Sequence, residues 1–392
     1  MQTAISLLLA AMAVHTAALA LLILLGGRNL RKGGESGPEP AAWPKVSVIV
    51  PAAGSFPGMD TVLASIAEQD YPDFEVLYVT MDDSEAAARI IDEVLEAHGA
   101  GREHRRATAG QTKTCGQKNH NLLAGLAQAS PESEIFVTCD VSHLAPSHWL
   151  RALVAPLARG EAGVATGYHH VYPLPGAGPG VAGRTLAVLA LYLLQEIPFL
   201  TQPWGGNTAL SRKSFRDLDV QTLWQENVVD DVSLAMRLAE RKQKARAVAG
   251  ACLDTFFPGE NFQSHTAWFT RQWAYLKFCF PGSWLLAGLG LALANLVLLA
   301  GLAAPPLALA GVIPPWTGLA GSAYLTLLAL LGLWMRSHHP APPRALPWLH
   351  AFFSLWPLAL YNHGRTWFSR SIAWGKFRYR LGRKGRVLGI DS

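Results

Sequence analysis

Acidic side chains stand shortly after two apolar segments of the chain, in positions that could serve nucleotide chemistry. Asp82 and Asp83 follow the segment Phe74–Val79, and Asp140 follows Ile135–Thr138. Both segments are typical of buried β-strands, and ligands of parallel sheets bind beyond the carboxyl ends of the strands. Carboxylates at two such ends would suit a phosphate ligand that is bridged by a divalent metal ion. A turn or a helix cap is the simpler interpretation of each aspartate taken alone.

The segments that would position these acids alternate between strand and helix patterns. Val46–Val50 is a short apolar run that Pro51 ends, and it predicts another buried strand. Helical spacing of apolar residues follows in Thr61–Gln69, Glu85–His98 and Asn119–Gln128. Strands that alternate with helices predict an α/β fold with a mostly parallel sheet and flanking helices.

The composition places a more polar domain between apolar ends. Half of the residues are hydrophobic and only 16% are charged. Ala4–Leu25 is long enough to cross a bilayer, and Arg28 and Arg31 follow it, which predicts a cytoplasmic location for the next domain by the positive-inside rule. Residues 1–27 are therefore predicted to be an uncleaved transmembrane anchor, and residues 28–44 a linker.

The C-terminal third combines an uncharged stretch with a basic one. Residues 283–335 carry no charge and predict two spanning helices, and Leu346–Tyr361 is a shorter third candidate, so C-terminal membrane helices are assigned to residues 283–362. Three crossings would put the basic tail, residues 363–392, on the outer side, against the positive-inside rule. We therefore predict that the third segment is re-entrant or interfacial. The charge of the tail favours an anionic membrane surface over nucleic acid as a partner.

One apolar segment of the central region, Arg184–Leu200, has two equally favoured interpretations. Glu196 and Pro198 interrupt it, which makes it a poor spanning helix. It could lie on the membrane surface or line an entrance for lipid. It could equally be an ordinary core helix.

Short motifs are spaced along the central region and the tail. They are Val46–Pro51, Val79–Ser84, Gly116–Leu123, Thr138–Pro146, Gly205–Arg212, Glu226–Leu234, Phe269–Trp273 and Ile372–Arg380. Together they resemble the motifs of family 2 glycosyltransferases with the GT-A fold, and most closely the ceramide glucosyltransferase branch, which includes bacterial lipid glycosyltransferases. The resemblance extends from about Val46 to Phe278, and more weakly through the tail. It implies a Rossmann-like GT-A domain over residues 45–282, with interfacial helices, beside the transmembrane helices.

The resemblance implies a donor site for a nucleotide diphosphate sugar. Asp140 is expected to hold Mg²⁺ or Mn²⁺ together with the diphosphate. Carboxylates that hold the base and the ribose would make charge-assisted hydrogen bonds, and a cation at a helix start suits the diphosphate. The other expected contacts are Pro51 to the base, Asp82 or Asp83 to uracil and ribose, Lys118 to the diphosphate, and Gly206 and Asn207 to the region of the donor sugar.

The resemblance also implies the groups that catalyse the transfer. Asp231 falls where the family places its catalytic base, and Asp230 takes the place of a neighbouring glutamate. An inverting transfer needs a carboxylate that accepts the proton of the acceptor hydroxyl while its oxygen attacks C1. Trp273 is expected near the sugar or the acceptor. Acids stabilised by the helix dipole are the alternative interpretation of the pair.

This chain departs from the family pattern at two places. Ser142 stands where the Asp-x-Asp motif of the family has its second acid, which leaves Asp140 as the expected metal ligand. Gln272 stands where an arginine usually precedes the tryptophan, and Arg271 lies one place early and could substitute for it. We treat Arg271 and Gln272, with Asp230, as expected contacts of the acceptor or the sugar.

These observations predict a multi-pass glycosyltransferase of the inner membrane whose catalytic domain faces the cytoplasm. It would move glucose or N-acetylglucosamine from a UDP-sugar to a lipid such as ceramide or a hopanoid, with inversion at the anomeric carbon. The lipid is expected to enter between Arg184–Leu200 and the membrane helices. A processive polysaccharide synthase is one alternative, although such enzymes usually need more helices for a secretion channel. A catalytically degenerate binding subunit is the other, because of Ser142 and Gln272.

Overall fold

The structure is a computed structural model that describes residues 2–32, 37–98, 103–174, 177 and 180–391. Its strands are β1 (Val46–Pro51), β2 (Phe74–Thr80), β3 (Arg105–Thr108), β4 (Ile135–Cys139), β5 (Val164–Pro173), β6 (Asn207–Ser211), β7 (Arg246–Phe257), β8 (Ser371–Trp374), β9 (Phe377–Leu381) and β10 (Val387–Asp391). Its helices are α1 (Gln2–Lys32), α2 (Met59–Ala67), α3 (Ala86–His98), α4 (Gln117–Gln128), α5 (Trp149–Ala158), α6 (Val181–Gln195), α7 (Arg212–Asp217), α8 (Val220–Glu226), α9 (Asp230–Glu240), α10 (Phe262–Cys279), α11 (Pro281–Leu309), α12 (Pro315–Arg336) and α13 (Ala345–Arg365).

Seven strands form one sheet in the order β3-β2-β1-β4-β6-β5-β7. β3, β2, β1 and β4 are parallel, and Val46 of β1 pairs with Phe74 on one side and with Ile135 on the other. Only β6 runs antiparallel to its neighbours in this sheet. The prediction of a mostly parallel sheet with flanking helices is therefore confirmed. Because β1, β2 and β4 end at one edge, the residues that follow them lie close together.

Alternate residues of β1 face two hydrophobic layers. Val48 packs in one cluster with residues of α2 and α5, and Ile49 packs in another with residues of α4 and α8. A strand that is buried on both faces needs a continuous apolar sequence, as this one has. Gly125 of α4 lies against the sheet so closely that a Cβ would stand 2.7 Å from Ile49. The sheet is thus held between two layers of helices.

Three helices within the described residues are long and apolar enough to cross a membrane: α1 over Ile5–Arg31, α11 and α12. Large apolar side chains such as Leu286 and Leu319 are exposed on them, which suits a lipid-facing surface. α13 contains Pro357 and is not one of the three. One apolar cluster joins α1, α6, α11, α12 and α13, and we call these five the membrane-side helices.

The first helix ends later than its apolar run indicates. α1 continues to Lys32, into the segment predicted to be a linker, and residues 33–36 of that segment lie outside the described residues. Contacts with α6 explain the difference. A Cβ on Gly26 would stand 2.3 Å from the carbonyl oxygen of Leu193, and Asn29 donates a hydrogen bond to the carbonyl of Glu196 at 2.8 Å. Tertiary packing therefore extends this helix.

The segment with two interpretations forms α6, which ends at Gln195. On one side Val188 and Tyr192 pack against β5, and on the other Leu189 packs among the membrane-side helices. α6 is therefore a buried helix at the junction between the sheet and the other four membrane-side helices.

The basic tail folds back onto the domain that contains the sheet. β8, β9 and β10 form a three-stranded antiparallel sheet. Phe377 and Tyr379 of β9 are buried in the same cluster as Leu122 of α4. The amide of Val228 donates a hydrogen bond to the carbonyl of Gly385 at 3.2 Å. The tail thus packs against the same domain as the strand ends.

Candidate active site

A cavity of 430 Å³ opens at the carboxyl ends of β1, β2 and β4, and we call it the sheet-edge cavity. Three residues predicted to bind the donor line it: Pro51 at the end of β1, Lys118 in the first turn of α4, and Asp140 after β4. The hairpin between β8 and β9 forms the opposite wall through Trp374 and Phe377. The fold therefore brings residues from distant parts of the sequence to one site.

Asp82 and Asp83 follow β2, but neither of them lines the sheet-edge cavity. Asp82 accepts a hydrogen bond from the amide of Ser84 at 3.0 Å and so closes its own turn. Asp83 is 74% exposed, and Arg106 lies 2.6 Å from its carboxylate. Hydrogen bonds from Arg106 and Thr108 hold the pKa of Asp83 below its ordinary value. Both aspartates thus have partners outside the cavity.

The acid after β2 that does line the sheet-edge cavity is Glu85. Its carboxylate accepts a hydrogen bond from the amide of Gly54, which follows β1, at 3.1 Å. The sequence motif draws attention to the paired aspartates and away from this glutamate. Its position just before α3 was the available signal, because that helix start faces the strand ends.

Lys118 bridges two of the predicted site acids. Its ammonium nitrogen lies 2.8 Å from Oδ1 of Asp140 and 3.1 Å from Oδ2 of Asp230. Burial by itself would lower the pKa of Lys118, but the carboxylates of Asp140, Asp230 and Asp231 outweigh burial and raise the pKa. The same cation outweighs the effect of burial on Asp140 and holds its pKa below the ordinary value. Lys118 is therefore positively charged, and it lies among the carboxylates of Asp140, Asp230 and Asp231.

Asp231 lies in the first turn of α9, beside this cluster. Its carboxylate accepts hydrogen bonds from the amides of Gly205 at 3.1 Å and Val232 at 2.6 Å. Burial and the charge of Asp230 raise the pKa of Asp231 to about 6, against the opposing effect of Lys118. A carboxylate with this pKa is matched to accepting a proton near neutral pH.

The glycine pair before β6, Gly205 and Gly206, allows the loop before β6 to lie close to the starts of α4 and α9. A Cβ on Gly205 would stand 2.0 Å from the carboxylate of Asp230 and 2.8 Å from the ammonium nitrogen of Lys118. The carbonyl of Gly206 accepts a hydrogen bond from the amide of Asp140 at 3.3 Å. Gly206 thus borders the site through its backbone, and Gly205 leaves the space that the charged cluster occupies.

The side chain of Asn207 points into the core of the domain. It is fully buried, and its oxygen accepts a hydrogen bond from the indole nitrogen of Trp149 at 2.9 Å. Its amide nitrogen donates to the carbonyls of Tyr168 at 3.3 Å and Ala251 at 2.6 Å. These bonds tie β6 to α5, β5 and β7. The structure therefore does not bring this side chain to the sheet-edge cavity.

The predicted acceptor motif lies on α10, and its side chains diverge. The guanidinium carbon of Arg271 lies 5.5 Å from the ring centre of Trp374, at the wall of the sheet-edge cavity. Trp273 packs edge-on against His363 of α13, with the ring centres 5.4 Å apart. Gln272 donates a weak hydrogen bond to a carbonyl of its own helix at 3.4 Å. Arg271 is thus the member of the motif that reaches the cavity wall.

One turn after Arg271, Tyr275 places a buried hydroxyl in the field of the acids. Burial raises the pKa of Tyr275, and the charges of Arg271 and Asp231 also act on it. The hydroxyl has no hydrogen-bond partner among the described residues. Such a group is suited to bind a substrate atom. The sequence alone does not single out Tyr275, although its spacing of four from Arg271 puts it on the same helix face.

The hairpin of the tail is fastened to the start of α4, since the hydroxyl of Tyr379 accepts a hydrogen bond from the amide of Gln117 at 3.1 Å. At the turn, Gly375 has a φ of 59°, and Lys376 adds a cation to the cavity lining. The sequence match of Ile372–Arg380 to the family tail marks the segment but assigns it no site residue. Its role in the cavity follows only from the fold.

Two histidines share one hydroxyl in the region after Asp140. Oγ1 of Thr255 lies 2.7 Å from Nδ1 of His143 and 2.6 Å from Nδ1 of His169. His169 also stacks on Trp204, with the ring centres 4.4 Å apart. Burial lowers the pKa of His143 to about 4, so the imidazole is neutral. The cluster therefore shapes the site by packing.

A second cavity, of 730 Å³, lies between α6, α10 and α13, and we call it the membrane-side cavity. Its lining is mostly apolar and includes Phe262, Leu355 and Leu358, and its polar members include Glu260 and His265. Because α6 and α13 belong to the membrane-side helices, the cavity lies where the sheet domain meets them.

The fold and the charged cavity at its strand ends define a nucleotide-sugar glycosyltransferase of the GT-A class. The family model of Glycosyl transferase family 21, the ceramide glucosyltransferase family, matches residues 5–387, and the chain belongs to this family. The resemblance drawn from the sequence motifs is thereby confirmed.

Solved structures are similar in fold. A mannosyltransferase from Pyrobaculum calidifontis, in complex with GDP-Man and Mn²⁺, is 17% identical, with a TM-score of 0.51 over 92% of this chain and 99% of its own. Glucosyl-3-phosphoglycerate synthase from Mycobacterium tuberculosis, in complex with Mn²⁺, UDP and glucosyl-3-phosphoglycerate, is 18% identical, with a TM-score of 0.39 over 60% of this chain and 79% of its own. A search among curated proteins gives no significant match.

Proposed function

We propose that this protein is an inverting glycosyltransferase that moves glucose or N-acetylglucosamine from a UDP-sugar to a hydroxyl group of a membrane lipid. The observation that carries the lipid acceptor is the membrane-side cavity. Its lining is mostly apolar, it lies beside α6, and it has a volume of 730 Å³. Pockets of this size bury most of a ligand of several hundred daltons.

The donor lies in the sheet-edge cavity in this proposal. Pro51 and Glu85 line the end where the base would bind, and the uracil imide N–H would donate to that glutamate. Lys118 lies deeper, in the first turn of α4, where a diphosphate would meet both its ammonium group and the helix N-terminus. Lys376 and Arg271 approach from the opposite wall. The cations offset the charge of the diphosphate.

Asp140 is the residue that would hold Mg²⁺ or Mn²⁺. Lys118 occupies one of its oxygens, and the side chain is 31% exposed, so the other oxygen can face a ligand. The described residues contain no group of three or more histidine, cysteine or acidic side chains suited to a metal ion. Two diphosphate oxygens and water would therefore complete the octahedral shell. When bound, the ion would stabilise the charge of the leaving diphosphate.

Asp231 is the proposed base. Its pKa of about 6 leaves it ionised at neutral pH, and the amides of Gly205 and Val232 hold the carboxylate in one orientation. The acceptor oxygen would attack C1 of the sugar while its proton passes to Asp231, and the bond from C1 to the diphosphate oxygen would break. Attack opposite the leaving group inverts C1.

The packing of the tail against the sheet domain supports a membrane topology with an even number of crossings between the two. Because the tail contacts the sheet domain, both lie on one side of the membrane, and the chain between them crosses an even number of times. α11 and α12 supply two crossings. In this proposal α13 is therefore interfacial or re-entrant, and the sheet domain with the basic tail faces the cytoplasm. The domain boundaries 1–27, 28–44, 45–282, 283–362 and 363–392 describe this arrangement, with α1 extended to Lys32.

The test uses the full-length chain in lipid nanodiscs, with UDP-glucose, UDP-N-acetylglucosamine or GDP-mannose and with ceramide, diacylglycerol or a hopanoid. We expect release of UDP together with a new glycolipid, identified by mass spectrometry, whose β-anomeric configuration is read by NMR. Asp231→Asn should lower the rate at least about 100-fold, because the base is lost. Asp60→Asn, at an exposed acid in the first turn of α2, is the matched control and should leave the rate unchanged.

Two other outcomes of this test would contradict the proposal and indicate a different function. Long polysaccharide chains would indicate a processive synthase. Tight binding of a UDP-sugar without any transfer would indicate a degenerate binding subunit.

A further inference from the structure

Glu260 and His265 form a polar end of the membrane-side cavity, and Arg184, which does not line the cavity, binds Glu260. Nδ1 of His265 lies 2.7 Å from Oε1 of Glu260. Arg184 donates two hydrogen bonds to the same carboxylate, from Nε at 3.0 Å and from Nη2 at 2.7 Å. The guanidinium carbon of Arg184 lies 3.5 Å from the ring centre of Trp268, which fixes it from the other side. The carboxylate thus has a rigid set of partners.

The other ring nitrogen of His265, Nε2, is buried and unpaired among the described residues. His265 is only 7% exposed, and its Nε2 has no hydrogen-bond partner within the part of the chain that the structure describes. A carboxylate beside Nδ1 favours the tautomer in which Nδ1 carries the proton and donates it to Glu260. Nε2 is then an acceptor. A buried acceptor without a partner is costly, so a ligand that donates a hydrogen bond would satisfy it.

The charges at this end are already balanced. Burial would raise the pKa of Glu260, but His265 and Arg184 outweigh it and hold the pKa below its ordinary value, so the carboxylate is ionised. Arg184 neutralises that charge. The described residues that line the membrane-side cavity include no lysine or arginine. Asn261, His350, Ser354 and Tyr361 also line the cavity, but at the end formed by Glu260 and His265 a lipid phosphate would meet a carboxylate and an acceptor nitrogen where it needs donors.

Resting on the proposed lipid acceptor, we infer that the membrane-side cavity holds the chains of a neutral lipid and that Nε2 of His265 accepts a hydrogen bond from an amide N–H or hydroxyl of that lipid. Glu260 and Arg184 orient the imidazole. The three side chains thereby select a neutral lipid that carries a hydrogen-bond donor over a lipid phosphate.

His265 positions the lipid and does not take the reacting proton. It shares α10 with Tyr275, which lies in the field of Asp231, and a rise of 1.5 Å per residue separates the two by about 15 Å. The group held at His265 is therefore different from the hydroxyl that reacts. Burial lowers the pKa of His169, the neighbouring His143 and His170 lower it further, and Arg184 also lies close enough to lower it. The polar end of the membrane-side cavity thus adjoins the cluster beside the active site.

The experiment measures lipid binding apart from transfer. The full-length chain in phosphatidylcholine nanodiscs is labelled with a ceramide that carries a photoreactive group in its acyl chain, and the labelled peptides are identified. We expect labelling of peptides that contain Phe262 or Leu358, with competition by unlabelled ceramide and none by phosphatidic acid. His265→Asn keeps a donor towards Glu260 but removes Nε2, and it should weaken labelling about tenfold. His265→Gln places a carbonyl oxygen near the position of Nε2 and should restore part of the labelling.

Transfer kinetics give a second measurement. His265→Asn should raise KM for ceramide about tenfold and leave KM for the nucleotide sugar and kcat unchanged. A ceramide analogue in which an ester replaces the amide cannot donate from that position. If the amide is the donor to His265, wild type and His265→Asn should have the same KM for this analogue. Equal labelling by wild type and His265→Asn, or competition by phosphatidic acid, would overturn the inference while leaving the transferase proposal intact. Labelling that depends on His265 in a protein that glycosylates no lipid would overturn the transferase proposal alone.

Discussion

The ammonium nitrogen of Lys118 lies 3.1 Å from Oδ2 of Asp230, and this ion pair sets the environment of the proposed base next to it. Asp230 raises the pKa of Asp231, and Lys118 lowers it. The two residues come from different helices, α4 and α9, and meet only because Gly205 leaves room for them.

The first prediction concerns the pH dependence of transfer. Asp231 must be deprotonated to act as a base, so kcat/KM should rise with pH through about 6, the pKa of this carboxyl. Asp230→Asn removes a charge that raises this pKa and should move the rise to lower pH. Lys118→Met removes a charge that lowers it and should move the rise to higher pH. Profiles from pH 4.5 to 8.5 test both directions, and shifts of the same sign in the two variants would contradict the assignment.

The second prediction concerns the space at Gly205. Gly205→Ala places a methyl group 2.0 Å from the carboxylate of Asp230 and should separate it from Lys118. We expect a loss of transfer of at least about tenfold, because small misplacements of reacting groups are costly. Gly282→Ala is the matched control, since a Cβ there meets nothing within 4 Å. Initial rates at saturating donor are the measurement, and an active Gly205→Ala would rule out the close approach.

The third prediction concerns the metal ion. Chelation with EDTA should abolish transfer, and Mg²⁺ or Mn²⁺ should restore it. Asp140→Asn should raise the metal concentration for half-maximal rate about tenfold or more, because the carboxylate ligand is lost. Asp83→Asn is the matched control, because its carboxylate is engaged by Arg106 outside the sheet-edge cavity. Full activity in EDTA would show that the cations Lys118, Arg271 and Lys376 suffice for the diphosphate.

The fourth prediction concerns the hairpin of the tail. Lys376→Ala should raise KM for the UDP-sugar about 10-fold or more, the usual effect of losing a contact between a cation and a phosphate. KM for the lipid should not change. Arg378→Ala, two residues further along and directed outwards on β9, is the matched control. Equal effects of the two substitutions on KM for the donor would indicate a general loss of charge.

The fifth prediction separates folding from binding at Asn207. Asn207→Ala removes three buried hydrogen bonds, to Trp149, Tyr168 and Ala251, and should lower the free energy of unfolding by about 2–4 kcal/mol. The remaining folded protein should keep its KM for the donor. Thermal unfolding measures the stability, and initial rates at varied UDP-sugar concentration measure KM. A raised KM with unchanged stability would assign the side chain to the donor site.

Local patterns in the sequence were sufficient for the mostly parallel sheet, and they singled out three residues that the structure places at the sheet-edge cavity: Pro51, Lys118 and Asp140. β1, β2 and β4 are continuous apolar runs because both of their faces are buried, and such runs are visible without a structure. Asp140, Lys118 and Asp231 stand in motifs whose spacing is local. The family and the parallel sheet could therefore be predicted.

The contacts between distant segments could not be predicted from these patterns. Asp82 and Asp83 resemble donor ligands by position, but the turn after β2 directs Glu85 to the sheet-edge cavity instead. Asn207 belongs to a site motif, yet β6 places its side chain against Trp149. The direction of a side chain at the end of a strand depends on which neighbour it meets, and that neighbour comes from elsewhere in the chain.

The sequence by itself determined the class of the protein: an α/β domain with acids at its strand ends, between segments apolar enough to cross a membrane. Only the tertiary structure decided that the basic tail closes the sheet-edge cavity, that Lys118 joins Asp140 to Asp230, and that His265 faces an apolar cavity beside α13. The physical reason is that hydrophobic periodicity reports burial, whereas ion pairs and cavity walls depend on the packing of residues that are far apart in the chain.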